Sequence, residues 1–290
     1  MGVQVRALAC ALPWKQGVPL SRFSRFEIAT EVVRRGIVAQ VSGSTVWRWL
    51  HEDAIKPWQY RSWIFPRDPQ FEDKAARVLD LNRGIWEGIP LGSDEYVISA
   101  DEKTSIQARV RRHESLPPRP ENPMRVEHEY QRGGALSYLA AWDVRRAKVF
   151  GRCEPTSGIA PFDRLVNEVM NQEPYRSARR VFWIVDNGSS HRGQRAIARL
   201  QRRWPTIVVV HLPVHASWLN QIAIYFSIVQ RKVLTPNDFD TLNAVAERLQ
   251  QFRKRYEQVA KPFEWKFTRE DLVRMLAQLN NPDSDLALSA

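Results

Sequence analysis

The chain divides by the period of its apolar positions. Phe26, Ile28, Ala29, Val32 and Val33 recur at close to helical spacing over residues 24–35, and Gly36 is a plausible stop. A second short helix is predicted over 46–52. Ser44 and Thr45 follow Gly43 there, as a recognition helix begins in a helix-turn-helix unit. Residues 57–66 are bounded by prolines and rich in aromatics, and read as an extended linker. A further helix starts at Asp68-Pro69, with Asp68 as cap and Phe71, Ala75, Val78, Leu79 and Leu81 as its buried face.

From residue 94 the pattern mixes two periods. Strands are predicted over 95–100, 135–141 and 148–153, the last two joined around Asp143. A helix over 161–170, a strand over 181–185, a helix over 193–204 and a strand over 207–212 follow. Helices over 218–233, 241–256 and 268–279 complete the pattern, and the tail after Asn280 looks frayed. Three early strands followed by alternating helices and strands imply an α/β fold, a mixed sheet flanked by helices, preceded by a small helical unit. The predicted boundaries are 1–56 for the helix-turn-helix-like unit and 57–93 for a linker and connecting helix. The α/β domain takes 94–280 and a tail 281–290.

Composition changes this picture in one respect. The net charge is +11 and the pI about 10.0, which favours a polyanionic partner, because each neutralised phosphate releases counterions. Residues 1–66 hold nine basic and four acidic side chains, in keeping with DNA contact; a three-helix adaptor without a ligand is the alternative. No apolar run reaches membrane-spanning length, and no signal peptide is read. Cys10 and Cys153 are far apart and offer neither a disulfide framework nor a zinc spacing, so a reducing cytoplasm is expected.

The candidate chemistry lies at two strand ends. Asp101 follows Val97-Ile98-Ser99-Ala100, and Asp186 follows Phe182-Trp183-Ile184-Val185. A carboxylate at the end of a buried strand is held rigid at the sheet rim. Two side by side offer hard oxygen ligands that suit Mg²⁺, with Mn²⁺ as substitute. Paired ions about 3.5–4 Å apart can drive an in-line phosphoryl displacement. The bland reading makes both aspartates strand-end turn formers.

The surrounding residues favour the first reading. Ser99-Ala100-Asp101-Glu102-Lys103-Thr104, Val185-Asp186-Asn187-Gly188-Ser189-Ser190-His191 and His215-Ala216-Ser217-Trp218-Leu219-Asn220-Gln221 occur in that order. Together they resemble bacterial insertion-sequence transposases of the IS-six-thirty group, relatives of the Tc/mariner superfamily. The resemblance covers about residues 20–280 and implies an RNase H-like DDE domain. Asp101 and Asp186 match the first and second catalytic aspartates. The third acid, a Glu in that group, falls on Ala223, and 36 residues separate it from Asp186, within the range the group uses. Everything around Ala223 is intact. A single clean loss reads as a Glu-to-Ala substitution of the kind made to trap DNA complexes, rather than natural decay. The group also implies a second helix-turn-helix unit upstream, so the chain reads as beginning inside a bipartite region.

The resemblance further implies a homodimer on DNA, binding of terminal inverted repeats, Mg²⁺-dependent hydrolysis at the element ends and joining to TA targets. Candidate DNA contacts are Arg48 and His51 on the recognition helix, Arg61 in the linker, and Arg109 and Arg111 along an extended stretch. His191 and His215 flank the site, and Arg231 and Lys232 lie about two helical turns past Ala223. Either histidine would touch a scissile phosphate or serve as a structural hydrogen-bonder. Glu102 is read as pointing to the opposite strand face, as a partner for Lys103 or an arginine. Two other readings stand beside this one: a DNA-binding regulator without catalysis, and a nuclease acting on RNA:DNA hybrids.

Overall fold

The structure, a computed structural model, describes residues 2–60 and 66–280. It separates into two compact units, Met1–Phe65 and Pro66–Ala290. The predicted linker contact Arg61 lies outside the described residues.

In the first unit, α1 (Gly2–Ala9), α2 (Arg25–Arg34) and α3 (Gly43–Glu52) enclose Val5, Leu8, Phe23, Ile28, Val32, Val46 and Leu50. A capping box starts α2: the Ser24 hydroxyl accepts from Glu27 N–H, and the Glu27 carboxylate accepts from Ser24 N–H. Helix α3 begins before the predicted Val46. Ser42 is its cap, accepting from Thr45 N–H at 3.1 Å, so Ser44 and Thr45 fall inside the helix. The sequence reading did not anticipate α1.

The second unit runs α4 (Phe71–Asn82), β1 (Ile85–Trp86), β2 (Ile89–Pro90), β3 (Glu95–Val110), β4 (Gln131–Asp143), β5 (Val149–Glu154), α5 (Ile159–Met170), β6 (Arg180–Val185), α6 (Gly193–Arg203), β7 (Ile207–His211), α7 (Ile222–Lys232), α8 (Leu242–Glu257) and α9 (Arg269–Asn280). Helix α4 starts after Pro69 because Asp68 is engaged otherwise. Its carboxylate takes Gln70 N–H and Val214 N–H and pairs with Lys74. Helix α7 starts later than predicted, since residues 217–219 form a tight turn and Asn220 is extended.

Strands β3 to β7 form one sheet in the order β5-β4-β3-β6-β7. The β3–β4 and β4–β5 pairs are antiparallel, while β6 and β7 run parallel to β3. This is the mixed, helix-flanked, RNase H-like sheet that the motifs implied. Residues 95–100 of β3 and 181–185 of β6 are buried apart from Tyr96, because helices cover both faces. On one face Val97, Tyr138, Ala140, Phe182 and Ile184 pack with α4, α7, α8 and α9. On the other, Ile98, Ala100, Leu139, Val181 and Trp183 meet Phe162, Leu165 and Val169 of α5. No helix among the described residues is long and apolar enough to cross a membrane.

One close approach ties the sheet to α7. Tyr138 is fully buried on β4, and its hydroxyl lies 3.2 Å from that of Tyr225 on α7. Gly151 of β5 makes the space: a Cβ there would fall 2.1 Å from the Tyr138 hydroxyl. Gly151→Ala is therefore expected to displace Tyr138 and destabilise the fold by about 1–3 kcal/mol, as overpacking does. Urea unfolding measures this, and an unchanged midpoint would show that the ring has room to move.

Candidate active site

The parallel register of β3 and β6 sets the geometry of the two aspartates. Ser99 is the Cα partner of Ile184. Two residues further on, the same register carries Asp101 alongside Asp186, on strands roughly 4.8 Å apart. Alternation along each strand turns both side chains to the face covered by α7.

Helix α7 is pinned to that strand end. The buried Ser99 hydroxyl accepts Ile222 N–H at 2.8 Å and donates to the Asn220 carboxamide oxygen. The Asn220 amide in turn donates to Ala100 O at 3.0 Å. These bonds tie the residues before Asp101 to the residues before Ala223, which lies in the first turn of α7 and is half-buried. The three positions matched to catalytic acids thus meet at one rim, and the third offers only a methyl group.

A fixed loop holds Asp186. Its Oδ1 accepts from Gly188 N–H at 2.7 Å and from Nε2 of His191. Since a carboxylate only accepts, Nε2 must be the donor, and in the neutral ring the Ser190 hydroxyl then donates to Nδ1 at 2.9 Å. Gly188 is required by proximity, because a Cβ there would sit 2.9 Å from Asp186 Oδ1. The loop is braced from outside by Arg199, which donates to Ser190 O and pairs with Asp163, and by His211, which donates to His191 O. His191 is fully buried, with its ring against Phe162. The sequence reading left it between phosphate contact and structural hydrogen-bonder, and the structure gives it the second role.

The two aspartates titrate in opposite directions. Burial pushes the Asp101 carboxyl up to about 6; Asp186 and Glu102 add to the rise, while the Glu102 N–H opposes it. The hydrogen bond from His191 holds Asp186 below the usual carboxylate range, with help from Gly188 N–H and against burial. Glu102 corrects a second expectation. It forms no ion pair among the described residues, and its Oε2 is buried without a partner. Burial raises its carboxyl, and the charges it feels are those of His191 and Asp186. Asp101, Asp186 and Glu102 thus share a partly desolvated rim, with His191 and His211 close to Asp186. Among the described residues, no group of three or more His, Cys, Asp or Glu side chains is placed to hold a metal ion.

The remaining predicted contacts separate by burial. Arg111 is spent structurally: only 7% of its side chain is exposed, and it donates to Glu127 O and Asn237 O beside Asp238. Its assignment as a DNA contact is therefore withdrawn. Arg109 stays half-buried under the Tyr130 ring, 4.6 Å from its centre. His215 is exposed in a left-handed turn before α7, and Arg231 and Lys232 are exposed at the end of that helix. In the first unit Arg48 and His51 are exposed on α3, His51 stacked on Trp47 at 4.6 Å. Ser99, Asn220, Ser190 and Arg199 carry the geometry although the sequence reading gave them no role. The visible signal was a lone serine inside an apolar β-branched run.

Asp101 gives a pH test. Its folded pKa lies above the unfolded value, so the metal-free native state binds more protons than the unfolded chain between about pH 4 and 6, and stability falls as pH rises through that window. In chelator-treated protein, Asp101→Asn is expected to be more stable at pH 8 by on the order of 1–3 kcal/mol. That gain should disappear by about pH 4. Denaturant titrations across pH measure it, and a pH-independent difference would show that burial does not strain this carboxylate.

The sheet and its flanking helices are similar to those of solved mariner complexes. The Mos1 paired end complex with Mg matches at a TM-score of 0.55 and 15% identity over 97% of this chain and 78% of that one. The paired end complex with Mn matches at 0.54 and 14%, over 96% and 75%. The Mos1 strand transfer complex matches at 0.52 and 15%, over 96% and 74%. At these identities the likeness is one of fold. No curated protein matches the chain. Residues 96–246, more than half of the sequence, match the family model described as DDE superfamily endonuclease, a span that contains Asp101, Asp186 and Ala223, and the chain belongs to that family.

Proposed function

We propose that this protein is a cut-and-paste DNA transposase whose cutting chemistry is disabled at Ala223. The observation that carries the reading is the rim itself: Asp101 and Asp186 just past the parallel register of β3 and β6, with the first turn of α7 pinned beside them and an alanine where the resemblance expects the third acid. The solved mariner structures of the same fold are described as a pre-cleavage transpososome and as paired-end complexes with a left transposon end, with Mn or with Mg.

Asp101 and Asp186 would hold the divalent cation, Mg²⁺ or Mn²⁺, which when bound polarises a phosphodiester and activates the attacking oxygen. The protein's own part is positional. His191 and Gly188 N–H fix one oxygen of Asp186 and leave the other free. The pin from Ser99 and Asn220 holds position 223 within reach. His215, Arg231 and Lys232, all exposed, would contact phosphates of the duplex. Arg48 and His51 would contact the terminal inverted repeats from α3, and Arg61 would contact DNA as well. Two copies acting on two paired ends, and joining to a TA target, complete the reading by resemblance to the IS-six-thirty group.

Ala223 also favours a second reading, a DNA-binding protein with no catalysis that acts as a regulator. One comparison separates the two. A labelled element-end duplex is incubated with Mg²⁺ and either this chain or its Ala223→Glu variant. Cleavage by the variant alone, at least about a hundredfold above the parent as expected for one catalytic group, supports the transposase. Binding without cleavage by both proteins supports the regulator.

A further inference from the structure

Past Asp101, β3 leaves the cover of β6 and runs on to Val110 beside a cavity of about 700 Å³. Its walls include Lys103, Gln107, Arg109, Tyr130, Gln230 and Thr235. The cavity is built rather than incidental. Asn237 donates to Gln107 O and accepts from Arg109 N–H, which fastens the far wall to the free edge of β3. Arg111 braces the other end through Glu127 O, Asn237 O and Asp238. The acids nearby are engaged as well: Glu127 pairs with His113, and Asp238 accepts from Ser115.

Arg109 differs from its neighbours. Its guanidinium lies against the Tyr130 ring, and no carboxylate comes within 4 Å among the described residues. Its side chain donates no hydrogen bond, and its Nε is buried without an acceptor. A guanidinium held by a ring face keeps its N–H donors unspent, whereas one held by a carboxylate does not. Lys103, two residues beyond Asp101, is also without an acidic partner among the described residues. Two unspent cations therefore line a walled groove that begins at the cutting site.

We propose that this groove takes one or two nucleotides of an unpaired DNA strand, its sugar–phosphate passing Lys103 and lodging on Arg109. The volume suits a ligand of that size and not a duplex, and a cationic groove with an aromatic wall is the usual form of a single-strand site. The proposal rests on the transposase reading, because it supposes a strand leaving Asp101.

The test is fluorescence anisotropy of a labelled short oligothymidylate and of a labelled duplex, with the full chain over a range of salt. Arg109→Gln should weaken single-strand binding about tenfold and lower the salt slope by about 0.7, the share of one phosphate contact. Arg109→Lys should restore the slope but only part of the affinity, since it lacks the fork. Duplex binding should hold in both variants, and so should the thermal melt, because the Arg109 side chain makes no hydrogen bond that folding needs. A 4-thiothymidine strand should cross-link to Tyr130. Unchanged single-strand binding in Arg109→Gln, or equal loss for both DNA forms, overturns the groove and leaves the transposase reading standing. Displacement of the strand by inorganic phosphate alone also overturns it, in favour of a simple anion site. A chain that binds neither DNA form overturns both readings.

Discussion

The Ser99 hydroxyl holds the start of α7 against the strand that carries Asp101, and the geometry of the rim follows from it. A helix leaves its first N–H groups without intrahelical partners. No side chain caps α7 by the usual route, and Ser99 supplies an acceptor from another strand. Because that acceptor sits in the centre of a twisted sheet, the helix can start at one place only. Asn220 makes the arrangement reciprocal by returning a bond to Ala100 O. The orientation of position 223 is thus set by two polar residues inside an otherwise apolar wall, where an unmatched polar group is costly and alternatives are few.

The electrostatics of the rim follow from what each carboxylate faces. Asp186 faces a histidine and a backbone N–H, and is held ionised. Asp101 faces burial and the charges of Asp186 and Glu102, Glu102 faces burial and the charge of Asp186, and both are pushed toward protonation. Carboxyls perturbed in this way cluster at functional sites.

Much of this was legible in the sequence. The apolar runs before Asp101 and Asp186 are long enough to be buried strands, and the order of strands and helices leaves little choice but a mixed sheet. What was hidden depends on contacts far apart in the chain. The second half of β3 mixes polar residues with the apolar Ile106, Ala108 and Val110, and an irregularity at Ser105, with φ of +58°, interrupts the alternation by which a strand is read. The burial of Arg111 follows from Asn237, 126 residues away. His191 looks like an exposed turn histidine until α5 brings Phe162 over it. Helix α1 is a single short stretch whose apolar face has meaning only against α2 and α3.

Ala223 bears on how such a chain persists. At the second position of α7, an acid would gain from the helix dipole, while beside Asp101 and Asp186 it would suffer repulsion of the same order. Folding is therefore nearly blind to which residue stands there, because the pin from Ser99 and the packing of Tyr225 do not involve it. Cellular quality control removes chains that unfold, not chains that fold and fail to act. A copy altered at this one position would accumulate as well as its parent and, on the transposase reading proposed above, would bind DNA without severing it. On the reading proposed above, the stability of the fold is separate from the acid at this position, and one codon would part a cutting protein from one that only binds.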